Sequence, residues 1–373
     1  MPLAAGNHPG RRSACRVSSF ARTLMVGTEH QAGTRELLHA EALLQARDLP
    51  AALESYLAAE REGADADVCA SGRWMASMLA GEFAAAWAES DAIRARGAVD
   101  PHRFWTDEPL AGKRVIVRCL HGLGDAVQML RYLPLLQSVC ACIILEVPPS
   151  MLAIAACFAG ADQVITWGAD APQTQPAWDL QVEVMELPYL FRTTLPDLPI
   201  ACDYLRVPDV KIHEVARAMG MKTQARVGVV WSASPWDPTR RLPAECLAQL
   251  LATPGIEFWN LQGGEAHDLA VADKLSTGLR DAAELGDGLV PLAATVANLD
   301  LVISVDTLAA HMAGAMGQNA WVLLQHRADW RWMHDRDDSP WYPTLRLWRQ
   351  TSQDDWSSLT ARVCNALRNW SKT

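Results

Sequence analysis

The feature that most constrains this chain is an apolar strand that runs through a glycine turn into a helix, in an alternation that restarts further along. Arg114-Val-Ile-Val-Arg-Cys119 is a β-branched run, and His121-Gly-Leu-Gly124 supplies the turn. Asp125 to Leu136 then places Val127, Leu130, Leu133 and Leu136 at helical spacing. Further strands are expected at Cys142 to Val147 and near Gln163 to Trp167. After a helical, polar connector at Pro208 to Thr223, the pattern resumes with Arg226 to Trp231, Gly255 to Leu261 and Leu299 to Val305. Strands alternating with helices build parallel sheets covered on both faces. The expectation is therefore α/β: two doubly wound units, residues 110–207 and 224–350, facing each other across a cleft.

The 373 residues leave room for more than these two units. Arg47-Asp-Leu-Pro-Ala-Ala-Leu53 lines up with Gly81-Glu-Phe-Ala-Ala-Ala-Trp87 at an offset of 34, the period of a tetratricopeptide helix pair. Ala52 and Ala86 fall where the paired helices approach closely, and Leu43, Leu44, Tyr56 and Leu57 are expected to form apolar faces. Any alanine-rich helical hairpin is the simpler alternative. Two such units are too few to close a solenoid core, so residues 35–98 are expected to dock on the α/β part of the chain. Residues 1–30 hold Arg11, Arg12, Arg16 and Arg22 and no acid before Glu29. They read as a disordered extension, or as sequence upstream of a start at Met25. Pro2, Pro9 and Gly10 speak against the amphipathic helix of a transit segment.

Composition removes several function classes. With 33 Lys and Arg against 43 Asp and Glu, the net charge is −10, a poor match to a nucleic-acid partner. The best apolar stretch, Val139 to Ala161, is broken by Glu146, Pro148 and Pro149 and falls short of the ~20 residues of a membrane span. Nine cysteines without a CxxC fit a reduced, cytoplasmic setting, at most peripheral to the inner face of a membrane. Signatures of P-loop, zincin and nucleophile-elbow enzymes are absent from the sequence.

Three constellations remain. Gly122 and Gly124 place flexible backbone between strand and helix, where exposed amides favour an anion. Asp125 reads either as the cap of that helix or as a general base in the cleft. A dinucleotide reading would use Glu146 as the ribose acid, but Val127 stands where its third glycine belongs. In the second constellation, Ser304-Val-Asp-Thr-Leu-Ala-Ala-His311, Asp306 can cap a helix of small residues. The amides of Thr307 and Leu308 would then meet a diphosphate. Thr307 and His311 share a face, and His311 also reads as a packed, satisfied imidazole. Arg240 and Arg241, after a proline-rich loop, read as a phosphate clamp or as a solvated pair. Asp335-Arg-Asp-Asp338 has the look of a metal-binding DxD. It lacks a preceding strand and sits among Trp330, Trp332 and Trp341, so no metal is expected there.

Two of these segments, Arg118 to Pro134 and Asp300 to Ala315, resemble glycosyltransferase family nine, the heptosyltransferase-like enzymes. Asp329-Trp-Arg-Trp-Met-His-Asp-Arg-Asp-Asp-Ser-Pro-Trp-Tyr-Pro343 is similar to the Trp-rich segment of the branch with tetratricopeptide repeats in front. The resemblance covers about residues 100–372. It implies a GT-B fold of two Rossmann-like domains, for acceptor and donor, with the last helix (residues 351–373) crossing back to the first. It also implies inverting, metal-independent transfer of a sugar, such as a heptose, from a nucleoside-diphosphate donor that is substrate rather than cofactor. The acceptor would be a hydroxyl of a glycan, a lipopolysaccharide or a protein. Carried onto this chain, Asp125 matches the base, Asp306 and Thr307 the donor diphosphate and sugar site, Arg240 a phosphate contact and Glu265 the ribose contact. Leu308 replaces a signature glycine, and Gly263 stands where the branch often has lysine. Those two departures keep a second reading open, a non-catalytic scaffold that binds a protein partner through its repeats. A third is an NAD-dependent oxidoreductase.

Overall fold

The computed structural model describes residues 31–97, 104–168, 176–199, 203–233, 237–263 and 278–371. The expected N-terminal extension and Glu265 lie outside the described residues.

Four helices come first: α1 (Gln31–Ala46), α2 (Leu49–Arg61), α3 (Ala66–Ala80) and α4 (Phe83–Ala95). The chain leaves α1 at Arg47 in a left-handed conformation (φ 66°). Asp48 then caps α2, its Oδ1 accepting the Ala51 amide at 3.3 Å, with Pro50 in the first turn. At the equivalent point 34 residues on, Gly81 (φ 80°) ends α3 and α4 begins. The sequence offset is thus kept as two helical hairpins. Ala52 and Ala86 are fully buried at the close approaches, and Leu44 and Tyr56 are buried too. Leu57, expected on an apolar face, instead points outward and is 45% exposed. Glycine is required at 72, where a Cβ would stand 2.1 Å from the Tyr56 ring. Arg73 ties three helices together through Glu60 and Glu89, each at 2.6 Å.

The hairpins do not stand alone. Trp87 Nε1 donates to the Thr193 carbonyl at 2.7 Å, and Arg47 Nη2 to that of Ala328 at 2.7 Å. Phe83 stacks on Trp341 and Trp74 meets Trp330 edge-on, both with centroids 5.8 Å apart. The Trp-rich segment is therefore a joint. Trp, at 15 residues, outnumbers Phe and Tyr together in this chain, and much of that surplus is spent here.

The first α/β unit comprises β1 (Arg114–Arg118), α5 (Leu123–Met129), α6 (Leu133–Gln137), β2 (Cys142–Val147), α7 (Leu152–Ala155), β3 (Gln163–Thr166), β4 (Leu180–Glu183) and α8 (Leu187–Leu190). The helix expected over Asp125 to Leu136 breaks into a tighter turn at Leu130–Tyr132, because Pro134 has no amide to continue the ladder. Its apolar positions are nevertheless all buried. The sheet is parallel, in the order β3-β2-β1-β4. Val115, Ile116 and Val117 sit in its centre with no exposure, which explains the continuous apolar run.

After α9 (Asp209–Met219), the second unit runs β5 (Ala225–Val230), α10 (Ala244–Leu251), β6 (Ile256–Asn260), β7 (Leu279–Asp281), α11 (Leu289–Ala297), β8 (Leu301–Val305), α12 (Leu308–Ala315), β9 (Ala320–Leu324), β10 (Leu345–Arg349) and α13 (Trp356–Trp370). Its sheet is parallel, in the order β10-β9-β8-β5-β6-β7. Numbered within the unit, that is the 3-2-1-4-5-6 order of a dinucleotide-type fold, and the first sheet is its first four strands. Each sheet has its switch point beside its first strand, and the two switch points face each other through α5 and α12, which pack together. This is the expected GT-B arrangement.

A further expectation fails. The last helix was to cross back to the first unit. Instead Trp356, Leu359, Val363 and Leu367 are sealed into the core of the second, against α10 and Trp348. An amphipathic stripe requires a cover, and α10 supplies one nearby.

Candidate functional site

The helix that follows β1 packs on the helix that follows β8, and Arg331 reaches both Asp125 after β1 and Met185 after β4. Open α/β sheets bind ligands at the carboxyl ends of their strands. Asp125 is not the cap of α5: Gly122 holds that position and Asp125 is the third residue of the helix. Its Oδ2 reaches back to accept the Gly122 amide at 3.0 Å, and its Oδ1 lies 2.8 Å from Arg331 Nη2. Burial alone would raise its pKa. Arg331, then His121 and the Gly122 amide, outweigh that and hold the carboxyl below its ordinary range.

Arg331, from the turn Trp330–Trp332, joins the two units. Its other terminal nitrogen pairs with Asp329 Oδ1 at 2.7 Å, and its guanidinium lies over the Trp330 ring at 4.8 Å. Burial would disfavour the cation, but Asp125, Asp329 and Asp306 hold it firmly charged.

Asp306 also differs from its expected role. Thr307, in extended conformation, is the N-cap of α12, and no side chain caps the helix. The Thr307 hydroxyl turns to Ser304 Oγ at 2.7 Å, leaving the first turn without the Asp306 cap. Asp306 faces Arg240 instead. Arg240 Nη1 donates to the Asp306 carbonyl at 3.1 Å and lies 3.5 Å from its Oδ2. Burial, reinforced by Asp329, pushes the Asp306 carboxyl up to about 6, against the pull of Arg240 and Arg331. Leu308 is half-buried in the first turn of α12, and Arg241 donates to Ser232 Oγ at 3.2 Å.

His311 is 3% exposed. It stacks on Trp332 (5.2 Å, 26°), its Nδ1 is 3.0 Å from the Tyr342 hydroxyl, and its Nε2 is 3.8 Å from Asp306 Oδ1. Burial drives its pKa down to about 3, so the ring is neutral. Behind Tyr342 lies Arg131, 1% exposed and packed on the rings of Tyr204, Trp341 and Tyr342. It donates to the Gln128 and Trp341 carbonyls.

Of the two glycines of the first turn, Gly122 gives its amide to the Asp125 carboxylate at 3.0 Å. Neither takes a positive φ. Gly124 is glycine because a Cβ there would stand 2.7 Å from His311 Cδ2, so it permits α5 to close on α12. Glu146 is 1% exposed and paired with Arg118, its neighbour in the β1–β2 register, so the dinucleotide reading loses its acid. Asp338 of the DxD-like run pairs with Arg336. Among the described residues no group of three or more His, Cys, Asp or Glu could hold a metal ion.

The structure thus brings Asp125, Arg240, Asp306, Thr307 and His311 to one place and adds residues that sequence reasoning passed over. Arg331 was legible only as an arginine between two tryptophans. His121, on the glycine turn, has its Nδ1 3.0 Å from Glu183 Oε1. Glu183 ends the short strand β4, for which the sequence offered no signal beyond a four-residue alternation.

No known protein-family profile matches the chain. Protein FlbA of Caulobacter vibrioides is 23% identical over 294 residues, covering 71% of this chain and 48% of that protein. The chain thus spans about half the length of the curated relative it matches. Among solved structures, the E. coli ADP-heptose lipopolysaccharide heptosyltransferase II matches with a TM-score of 0.50 at 12% identity, over 70% of this chain and 100% of that one. A family 9 glycosyl transferase from Veillonella parvula matches with a TM-score of 0.48 at 14% identity, over 69% of this chain and 90% of that one. The E. coli heptosyltransferase WaaC with ADP-2-deoxy-2-fluoro heptose matches with a TM-score of 0.46 at 17% identity, over 69% and 98%. The likeness is one of fold, the paired α/β units of GT-B heptosyltransferases. No helix among the described residues is long and apolar enough to cross a membrane.

Proposed function

We propose that this chain is an inverting glycosyltransferase that needs no metal and moves a hexose or heptose from a nucleoside diphosphate to a hydroxyl acceptor. One observation carries the reading. The switch points of the two sheets converge so that Asp125 of the first unit and Arg240, Asp306 and His311 of the second lie in one cluster of charged and polar groups around Arg331. The diphosphate would lie on the second unit, between Arg240 and the start of α12, where fixed cations and the helix dipole stabilise charge on the leaving group. The acceptor would approach from the first unit, on the opposite face of the sugar. Attack there forms the new bond at the anomeric carbon as the bond to the diphosphate breaks, which inverts its configuration. The acceptor proton passes to a group of the first unit, the role that the resemblance gives to Asp125.

The likeness to heptosyltransferase folds supports this assignment, as does an arrangement that supplies both anion stabilisers and a proton acceptor. The test is release of nucleoside diphosphate from ADP-, GDP- and UDP-activated sugars. Wild type should release one of them and Arg240→Ala should be at least tenfold slower. No release by wild type from any of them, with candidate acceptors supplied, sinks the reading.

A scaffold role has one observation of its own. A groove of about 440 Å³ opens on α1 and α2, lined by Glu36, His39, Leu43, Glu54 and Ser55. It is where a peptide partner would bind the repeat-like hairpins. Cleft variants would leave such binding untouched.

A further inference from the structure

Basic side chains that the proposed transfer does not use gather at the carboxyl ends of β9 and β10. His326 and Arg327 follow β9, and Arg349 closes β10. His334 comes from the Trp-rich segment and Arg47 from the turn between α1 and α2. Backbone contacts tie these segments together. Arg47 Nη2 donates to the Ala328 carbonyl at 2.7 Å. Arg349 Nε donates to the Arg336 carbonyl at 2.7 Å and its Nη2 to the Trp332 carbonyl, on either side of His334. The His334 amide donates to the Leu79 carbonyl at 2.8 Å, in the last turn of α3. Beside Arg349, the buried Gln350 accepts the His326 amide at 3.0 Å, while its own Nε2 donor has no partner among the described residues.

A guanidinium held by carbonyls is oriented without being neutralised, and it keeps further N–H donors for an anion. Arg47 and Arg349 are both half-buried and held in this way. The nearby carboxylates do not balance them: Asp329 is paired with Arg331 at 2.7 Å, and Asp335 is exposed. Burial disfavours the Arg47 cation and Arg327 adds to that, against Asp329. Burial, Arg47 and Arg336 push the Arg349 pKa down to about 10, against Asp335. Burial holds His334 below the ordinary imidazole range, with Asp335 opposing and Arg47, Arg349 and His326 reinforcing it. Like charges brought together out of water repel, and an anion among them reverses the sign. The backbone is strained at the same place. Arg47 (φ 66°) and, on either side of His334, Met333 and Asp335 (both φ 54°) take the left-handed conformation without being glycine. Such strain clusters where a ligand is held.

We propose that Arg47, His334 and Arg349, with Arg327 at the rim, form a binding site for a phosphate group at the joint between the helical hairpins and the second α/β unit. A phosphate dianion matches the excess of guanidinium charge, and its several oxygens can meet donors that arrive from three segments of the chain. A carboxylate offers one charge and two oxygens in a plane. Because Arg47 belongs to the hairpins and Arg349 to the second sheet, a bound phosphate would clamp one onto the other. Inorganic phosphate and a phosphorylated sugar present the same group, and they are separated by affinity.

The experiment measures binding of inorganic phosphate and of glucose 6-phosphate to the full chain by calorimetry at fixed ionic strength, with acetate and glucose as controls. Wild type should bind phosphate, and Arg240→Ala should retain that binding. Arg47→Gln and Arg349→Gln should each bind about tenfold or more weakly, the loss of one charge-assisted contact. Tighter binding of glucose 6-phosphate than of phosphate, with none of glucose, assigns the site to a phosphorylated sugar, and equal affinity assigns it to free phosphate. The ring resonances of His326 and His334 in wild type need no variant, and they should move on phosphate addition while those of His311 stay. No phosphate binding, or acetate bound as tightly as phosphate, overturns the proposal. So does affinity undiminished in both Arg47→Gln and Arg349→Gln, binding lost only in Arg240→Ala, or His326 and His334 rings that do not respond.

Discussion

Arg331 Nη2 lies 2.8 Å from Asp125 Oδ1, so a residue of the Trp-rich segment reaches across to the first helix of the other α/β unit. Both side chains are mostly buried, at 11% and 26% exposure, and Arg331 has a second carboxylate in Asp329. Removing one member of such a pair leaves the other charged and desolvated. Arg331→Met should therefore destabilise the protein by about 3 kcal/mol in denaturant unfolding. Asp125→Asn with Arg331→Met should cost less than the sum of the two single changes. Strict additivity would show that the pair carries no coupling.

Gly124→Ala probes the same junction sterically. The added Cβ would stand 2.7 Å from His311 Cδ2, and His311 is pinned between Trp332 and Tyr342. Overpacking of this kind costs roughly 1–3 kcal/mol. Because the strain falls between the units, any nucleoside-diphosphate affinity should weaken with it. A variant with wild-type stability and affinity would mean that α5 and α12 are free to separate.

The core of each sheet was legible in the sequence because a strand buried on both faces must be continuously apolar, as at Val115 to Val117 and Leu301 to Val305. Strand β4 escaped notice because Leu-Gln-Val-Glu is too short to show a period, and with it went Glu183. Strands β7, β9 and β10 were not anticipated either. The destination of α13 could not be read, since an amphipathic stripe states that a face is covered and not by what. The cap of α12 was misassigned because Asp306 and Thr307 are both good capping residues, and burial beside Arg240 decided between them. Arg331 gave no signal of its own, as its role depends on a contact 206 positions away in the chain.

The neutral, buried His311 makes stability depend on pH. Its pKa is pushed down to about 3 in the folded protein, chiefly by burial, against about 6.5 when unfolded. Between those values the unfolded state binds the extra proton, so stability is lost as pH falls from about 6.5 toward 3. His311→Gln keeps a hydrogen-bonding group for Tyr342 but does not titrate. Denaturant midpoints measured at pH 7 and pH 4.5 should fall further for wild type than for His311→Gln. Parallel losses would mean that the folded protein protonates His311 readily.

The central claim is that the cleft between the units receives a nucleoside diphosphate, and its most direct measurement is thermal unfolding with ADP, GDP, UDP, CMP or NAD. One diphosphate at 100 times its dissociation constant should add about 2.7 kcal/mol of stability to wild type. It should add far less to Arg240→Ala, and NAD should add nothing. Equal shifts in both proteins, or none from any of the diphosphates, would contradict the account.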